Sequence, residues 1–316
     1  MTKHIYIYSP SSAVRNKPAF RRGVARLAAL GHDVEVDEAA LTSHMRFAGD
    51  DDTRIAAIHR AAASGADVAM IARGGYGLTR ILGGINYKAV AKAVNKGTQF
   101  VGLSDFTALQ CALLVKTGAI TWAGPALGED FGAEAGPDDI MEACFDDMIS
   151  GQGEGAGWQL PKSDVAALAE KSRRKSGEVS LSISGATLWG GNLAVLSSLV
   201  GTPWLPAVKG GVLFLEDVHE HPYRIERMLT QLLHAGVLAY QKAIVLGQFS
   251  NYKLVPHDKG YKLQTVVGWL RSQLKIPVLT NLPFGHVATK VTLPVGAQVT
   301  LAVDDRDAFL LWGHHH

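Results

Sequence analysis

Four short stretches of this chain carry side chains capable of chemistry. The first is Gly102-Leu103-Ser104-Asp105-Phe106-Thr107. An apolar, strand-like run ends at Leu103 and a helical pattern begins at Asp105, so Ser104 falls at a strand-to-helix turn. Such a turn lifts a hydroxyl above the sheet edge and leaves the first helical N–H groups free to receive a developing oxyanion. The elbow pattern G-x-S-x-G is not met, because Phe106 takes the place of the second glycine. The alternative is that Ser104 caps the helix by bonding an N–H near Thr107. The second stretch is Arg73-Gly74-Gly75-Tyr76-Gly77, whose glycines allow a backbone that presents N–H groups to a ligand, or simply an ordinary turn. Arg80 stands where a dinucleotide fingerprint needs glycine. The third is Glu216-Asp217 after the apolar run Val212–Leu215. A carboxylate there can orient a histidine, or be a solvated strand end. The fourth is Phe284-Gly285-His286, a histidine in a glycine-flanked loop that can act as a general base or be structural.

Taken together, the order Ser104, Glu216, His286 is the nucleophile–acid–base order of one class of serine hydrolases. Residues so far apart in sequence meet only if two domains face each other across a cleft, a favoured place for ligands. His219-Glu220-His221 lacks the spacing of a helical zinc motif, so both histidines read as surface or supporting residues and no metal is expected.

Strand and helix signals alternate through the first half. Strand-like runs at His4–Ser9, Asp33–Val36, Asp67–Ala72, Gln99–Leu103 and Ala119–Ala123 are separated by helical stretches. This spacing predicts a parallel α/β sheet, Rossmann-like, in a nucleophile domain over 1–150. The glycine-rich GQGEGAG (Gly151–Gly157) and the polar stretch behind it predict a linker over 151–178, with Arg173-Arg174-Lys175 solvated. From 179 to 313 a smaller, β-rich α+β domain is expected to supply Glu216 and His286. The closing His314-His315-His316 read as the remnant of a purification tag.

Composition narrows the function. Thirty-one basic against 29 acidic residues give a net charge of +2, which offers no electrostatic reason to expect nucleic acid as a partner. Hydrophobic residues at 47% suffice for a large core. No apolar run is long enough to span a membrane. Cys111 and Cys144 form no disulfide framework, so a reducing, cytoplasmic setting is expected.

At these same residues the sequence resembles the LD-carboxypeptidase family over nearly its whole length. The resemblance rests on ARGGYG (Ala72–Gly77), GLSDFTALQC (Gly102–Cys111), TLWGGNLA (Thr187–Ala194), LEDVHEHPYRIERML (Leu215–Leu229), FGH (Phe284–His286) and TLPVGA (Thr292–Ala297). Between about Ala166 and Ser184 the chain is longer than the family pattern. The resemblance implies Ser104 as nucleophile, His286 as base and Glu216 as its orienting partner. It implies a metal-free and cofactor-free cytoplasmic enzyme, often a homodimer, that removes the terminal D-alanine of murein tetrapeptide during wall recycling. The oxyanion would be received by the N–H of Asp105 and one from Gly74 or Gly75. Arg73, Asn192 and Arg224 are candidates for binding the substrate carboxylate, with structural ion pairs as the alternative for the two arginines. A related peptidase group that inactivates microcin-type peptide-nucleotide antibiotics shares the triad pattern, and a non-catalytic peptide-binding protein is the alternative of a different class.

Overall fold

The computed structural model describes residues 2–172 and 179–313. In the first half, strands β1 (His4–Tyr8), β2 (Asp33–Val36), β3 (Val68–Ile71), β4 (Gln99–Gly102) and β5 (Thr121–Ala123) alternate with helices α1 (Lys17–Ala29), α2 (Asp51–Ala63), α3 (Leu78–Ile81), α4 (Tyr87–Val94) and α5 (Phe106–Thr117). Side-chain caps start several of these helices. Asn16 accepts from Ala19 N–H, Asp50 from Thr53 N–H and Asn86 from Ala89 N–H. A π-helix (Leu127–Phe131) and helix α6 (Asp139–Ser150) close this half.

The second half contains β6 (Gly155–Gln159), α7 (Lys162–Ser172), β7 (Ser180–Asn192), α8 (Leu193–Ser198), β8 (Val212–Val218), α9 (Pro222–His234) and β9 (Ala243–Ser250). It continues through α10 (Leu263–Gln273), β10 (Val278–Leu279), β11 (Leu293–Val295), β12 (Gln298–Asp304) and β13 (Asp307–Leu311).

Two sheets result. The first runs β11-β5-β4-β3-β1-β2 and is parallel except for β11, which joins β5 antiparallel. The second runs β10-β9-β8-β7-β12-β13-β6. Its β10-β9-β8-β7 part is parallel, and its β7-β12-β13-β6 part antiparallel. The mostly parallel α/β first domain and the β-rich second domain are therefore as expected. The linker is not: between 151 and 178, β6 is an edge strand paired with β13, and α7 follows it. A glycine-rich composition marked this stretch as a linker, yet Gly155 lies so close to Leu310 O of the partner strand that a side chain has no room, and Gly157 packs against the Phe309 ring. Arg173-Arg174-Lys175 and the terminal histidines lie outside the described residues.

Helix α5 is the hinge pin of the architecture. Phe106 through Leu113 are all buried, Thr107 and Gln110 among them, so the first two turns of the helix are enclosed on every side and pack between the sheets. Its Thr107 hydroxyl accepts from the Asn192 N–H at the end of β7, 3.0 Å away. A Cβ at Gly191 would sit 2.4 Å from the same hydroxyl. This close approach brings the carboxyl ends of β7 and β8 against the carboxyl end of β4.

Candidate active site

Ser104 stands between β4 and α5 with φ of +67°, a left-handed conformation unusual for a residue with a side chain. The cap of α5 is Asp105, and no side chain caps the helix. Ser104 is therefore not the N-cap serine that its position allowed: strain here aims the hydroxyl outward, into a cleft, instead of back toward the helix. The cleft, about 550 Å³, is lined by Ser104, Arg73, Gly75, His286, Glu129 and Lys290 among others.

The loop after β3 packs directly on the serine. A Cβ at Gly74 would lie 2.6 Å from Ser104 Cβ and 2.9 Å from its Oγ. Gly75, at φ of +107°, presses against Ser12. Ser12 Oγ accepts from Tyr76 N–H at 3.0 Å. Among the described residues, the N–H groups of Gly74, Gly75 and Asp105 donate to no protein acceptor. These are the donors expected to receive an oxyanion. The Asp105 side chain turns the other way, accepting from Ser11 Oγ and from Leu78 N–H at 2.8 Å. It thereby ties the turns after β1, β3 and β4 together. Burial pushes its carboxyl upward in pKa, opposed by these donors.

From the second domain, His286 Nδ1 donates to Glu216 Oε2 at 2.7 Å. Glu216 is fully buried, which excludes a solvated strand end. Glycines make the room: a Cβ at Gly285 would lie 3.2 Å from Glu216 Oε2, and one at Gly247 only 2.4 Å from Phe284 O. Burial alone would lower the His286 pKa, but the hydrogen bond and charge of Glu216, with help from Glu129, raise it above its ordinary value. With Nδ1 bonded to the carboxylate, Nε2 remains for the cleft. No hydrogen bond among the described residues joins His286 to Ser104; the two share the cleft.

Asn192 is buried and does not line the cleft. Its amide donates to Glu216 Oε1 and to Asp217 Oδ1, both at 3.1 Å. Asp217 also accepts from Ala194 and Val218 N–H. Burial, then the neighbouring charge of Glu216, pushes the Asp217 carboxyl up to about 7. The structure thus uses Asn192 to hold the carboxylate pair. Arg224 is exposed on α9, beside Glu220 and Tyr223, and lies outside the cleft lining. Arg73 does line it, with one guanidinium nitrogen on Ala13 O at 3.2 Å. His219 reaches the cleft wall, while His221 pairs with Asp258 at 3.1 Å.

Sequence reasoning passed over Glu129, Asp130 and Lys290, which also line the cleft. The signal was a lone lysine at the start of the continuous buried run Lys290–Val295.

Fold and cleft together define a two-domain α/β protein whose site lies between a mostly parallel sheet and a β-rich second domain. Residues 5–124 match the model of the LD-carboxypeptidase N-terminal domain and residues 185–301 that of the LD-carboxypeptidase C-terminal domain, so the chain belongs to the LD-carboxypeptidase family. It is 30% identical to the probable murein peptide carboxypeptidase of Bacillus subtilis (strain 168), covering 89% of this chain and 83% of that one. The crystal structure of muramoyltetrapeptide carboxypeptidase from Oxalobacter formigenes superposes with a TM-score of 0.83 at 37% identity, covering 99% of both chains. The Microcin C7 self-immunity protein MccF of Escherichia coli is 28% identical over 66% of this chain and 63% of its own.

Proposed function

We propose that this protein is a serine carboxypeptidase that removes the terminal D-alanine of murein tetrapeptide at the L,D bond, in wall recycling. One observation carries this reading: a strained, cleft-facing Ser104 shares its cleft with His286, whose other nitrogen is held by buried Glu216. The likeness to proteins named as murein peptide carboxypeptidases supports the substrate. His286 takes the Ser104 proton as the hydroxyl attacks the carbonyl, and Glu216 stabilises the resulting imidazolium. The N–H of Asp105 and one from Gly74 or Gly75 receive the oxyanion. The imidazolium protonates the departing amine of D-alanine. Water, deprotonated by His286, then hydrolyses the acyl-enzyme and frees Ser104. Arg73, on the cleft wall, is the cation for the substrate's terminal carboxylate.

Likeness to MccF keeps a second reading, cleavage of a microcin-type peptide-nucleotide. Among the described residues lining the cleft there is no phenylalanine, tyrosine or tryptophan to stack a base, which favours the murein substrate. Mass spectrometry of murein tetrapeptide with the purified protein, chelator present, tests both. Loss of one alanine by wild type, reduced roughly 10⁴-fold or more in Ser104→Ala, is expected. Intact tetrapeptide alongside cleavage of an aminoacyl sulfamoyl nucleoside would transfer the assignment to the second reading.

A further inference from the structure

The loop that carries His286 belongs to both domains. On its leading side it is fixed to the second sheet: Gln248 N–H donates to Phe284 O at 2.8 Å and Ser250 Oγ to His286 O at 3.1 Å. Val291 N–H closes the loop on Pro283 O at 2.8 Å. On its trailing side it is fixed to the first domain. Thr289 Oγ1 donates to Asp138 Oδ2 at 2.7 Å, and β11 then joins β5 of the first sheet. Between these anchors Lys290 Nζ meets Asp130 Oδ1 at 2.5 Å, with side chains only 3% and 4% exposed.

The far end of this ion pair is rigid. Asp130 sits on the π-helix, and its second oxygen accepts from Ala126 N–H at 2.8 Å. Arg22 and Arg26 of α1 donate to the carbonyls of Gly132 and Phe131. A buried ion pair is no more stabilising than well-packed apolar residues of the same volume. Stability alone therefore gives no reason for charges here, yet both residues line the cleft beside His286.

We propose that the Lys290–Asp130 pair is a positioning device: it clamps the histidine loop of one domain onto the nucleophile domain and sets a fixed cation beside the imidazole. This rests on His286 being the base of the proposed reaction. Charged and titratable groups bordering the imidazole are Glu216 from β8, Glu129 and Asp130 from the π-helix, Arg73 from the turn after β3, His219 from the turn after β8, and Lys290 itself. Glu129 raises the His286 pKa and Lys290 lowers it. Burial drives the Asp130 carboxyl upward in pKa, opposed first by Lys290.

The two single variants therefore act on His286 in opposite directions. Lys290→Met removes the cation and moves the imidazole titration to higher pH. Asp130→Asn leaves the cation unneutralised and moves it to lower pH. The test is an NMR titration of His286 in the full chain, its signal assigned by its loss in His286→Gln, alongside kcat and KM on murein tetrapeptide. Opposite displacements are expected, with kcat lowered about tenfold or more in both and KM within about threefold, since misplacement of the base acts on the chemical step. Unmoved midpoints, or any other pattern of displacement, overturn the proposal. Where a single variant fails to fold, Lys290→Gln with Asp130→Asn together is measured. A lowered kcat with wild-type melting supports the clamp, and wild-type kcat overturns it. Wild-type protein inert on tetrapeptide would count against the proposed substrate, while the titration would still decide the clamp.

Discussion

His286 is held by one strong contact, the 2.7 Å bond to Glu216, and that contact raises its pKa above the ordinary 6.5 despite burial. A base must be neutral to act, so the acidic limb of kcat/KM should turn over above pH 6.5. A pH–rate profile on tetrapeptide reads this, and a limb below 6.5 would contradict the pairing. Glu216→Gln keeps the size but removes the charge and lets the imidazole adopt the wrong tautomer. The expected loss is roughly 10³ to 10⁴-fold in kcat, with the limb moved to lower pH. The three side chains proposed for this chemistry were legible as candidates in the sequence because each follows an apolar run, Ser104 at a helix onset and His286 beside a glycine. Asn192 was legible as a carboxylate partner but not in which carboxylate it holds: a primary amide suits a substrate carboxylate and a buried protein carboxylate equally well. Only the fold shows that its N–H groups are taken by Glu216 and Asp217. Lys290 was missed because the carboxylate that neutralises it lies on a π-helix far away in the chain.

At the scale of elements, the turns after β3 and β4 form one unit. The Gly74 backbone lies so close to Ser104 that a single methyl group would displace the serine. Gly74→Ala is expected to lower kcat about 100-fold, comparable to losing one oxyanion donor, while leaving the fold intact. Unchanged kcat would show that the loop does not set the serine's position. Circular dichroism of the variant separates this from unfolding. Gly191→Ala acts elsewhere: its φ of +129° and the 2.4 Å approach to Thr107 make a methyl group destabilising at the domain interface, visible as a lowered melting temperature. The parallel sheet was readable from alternating strand and helix runs. Strand β11 was not. It pairs with β5 across the domain boundary, and local pattern carries no information about a partner so distant in sequence. Strand β6 was masked by its glycines, which look like linker composition until a neighbouring strand is seen to press against them.

For the whole molecule, the crossing of the second domain's chain into the first sheet makes the cleft part of the folding unit, so site electrostatics appear in global stability. Asp217 has its carboxyl raised from 3.8 to about 7, first by burial and then by Glu216. Between those values the folded protein holds a proton that the unfolded chain has released. Stability therefore falls as pH rises from about 4 to about 7. His286 adds in the same direction at higher pH. Its folded pKa is raised, so its contribution is complete below 6.5 and is lost as pH climbs through the folded value. Asp37 opposes both at the acid end. Burial works against its charge, but the Arg60 guanidinium and the Tyr6 hydroxyl hold its pKa below 3.8, so its contribution is lost as pH falls through that lowered value. The melting temperature should consequently peak on the acid side of neutrality and decline from there to pH 8. In Asp217→Asn the decline should flatten below pH 7, because the group that releases its proton on unfolding is gone. Calorimetric scans at half-unit intervals from pH 4 to 8 measure both slopes. A melting temperature that climbs toward pH 8 in the wild type would mean that Asp217 is ionised in the folded protein, with Asn192 and the backbone N–H groups of Ala194 and Val218 sufficient to hold two adjacent buried charges.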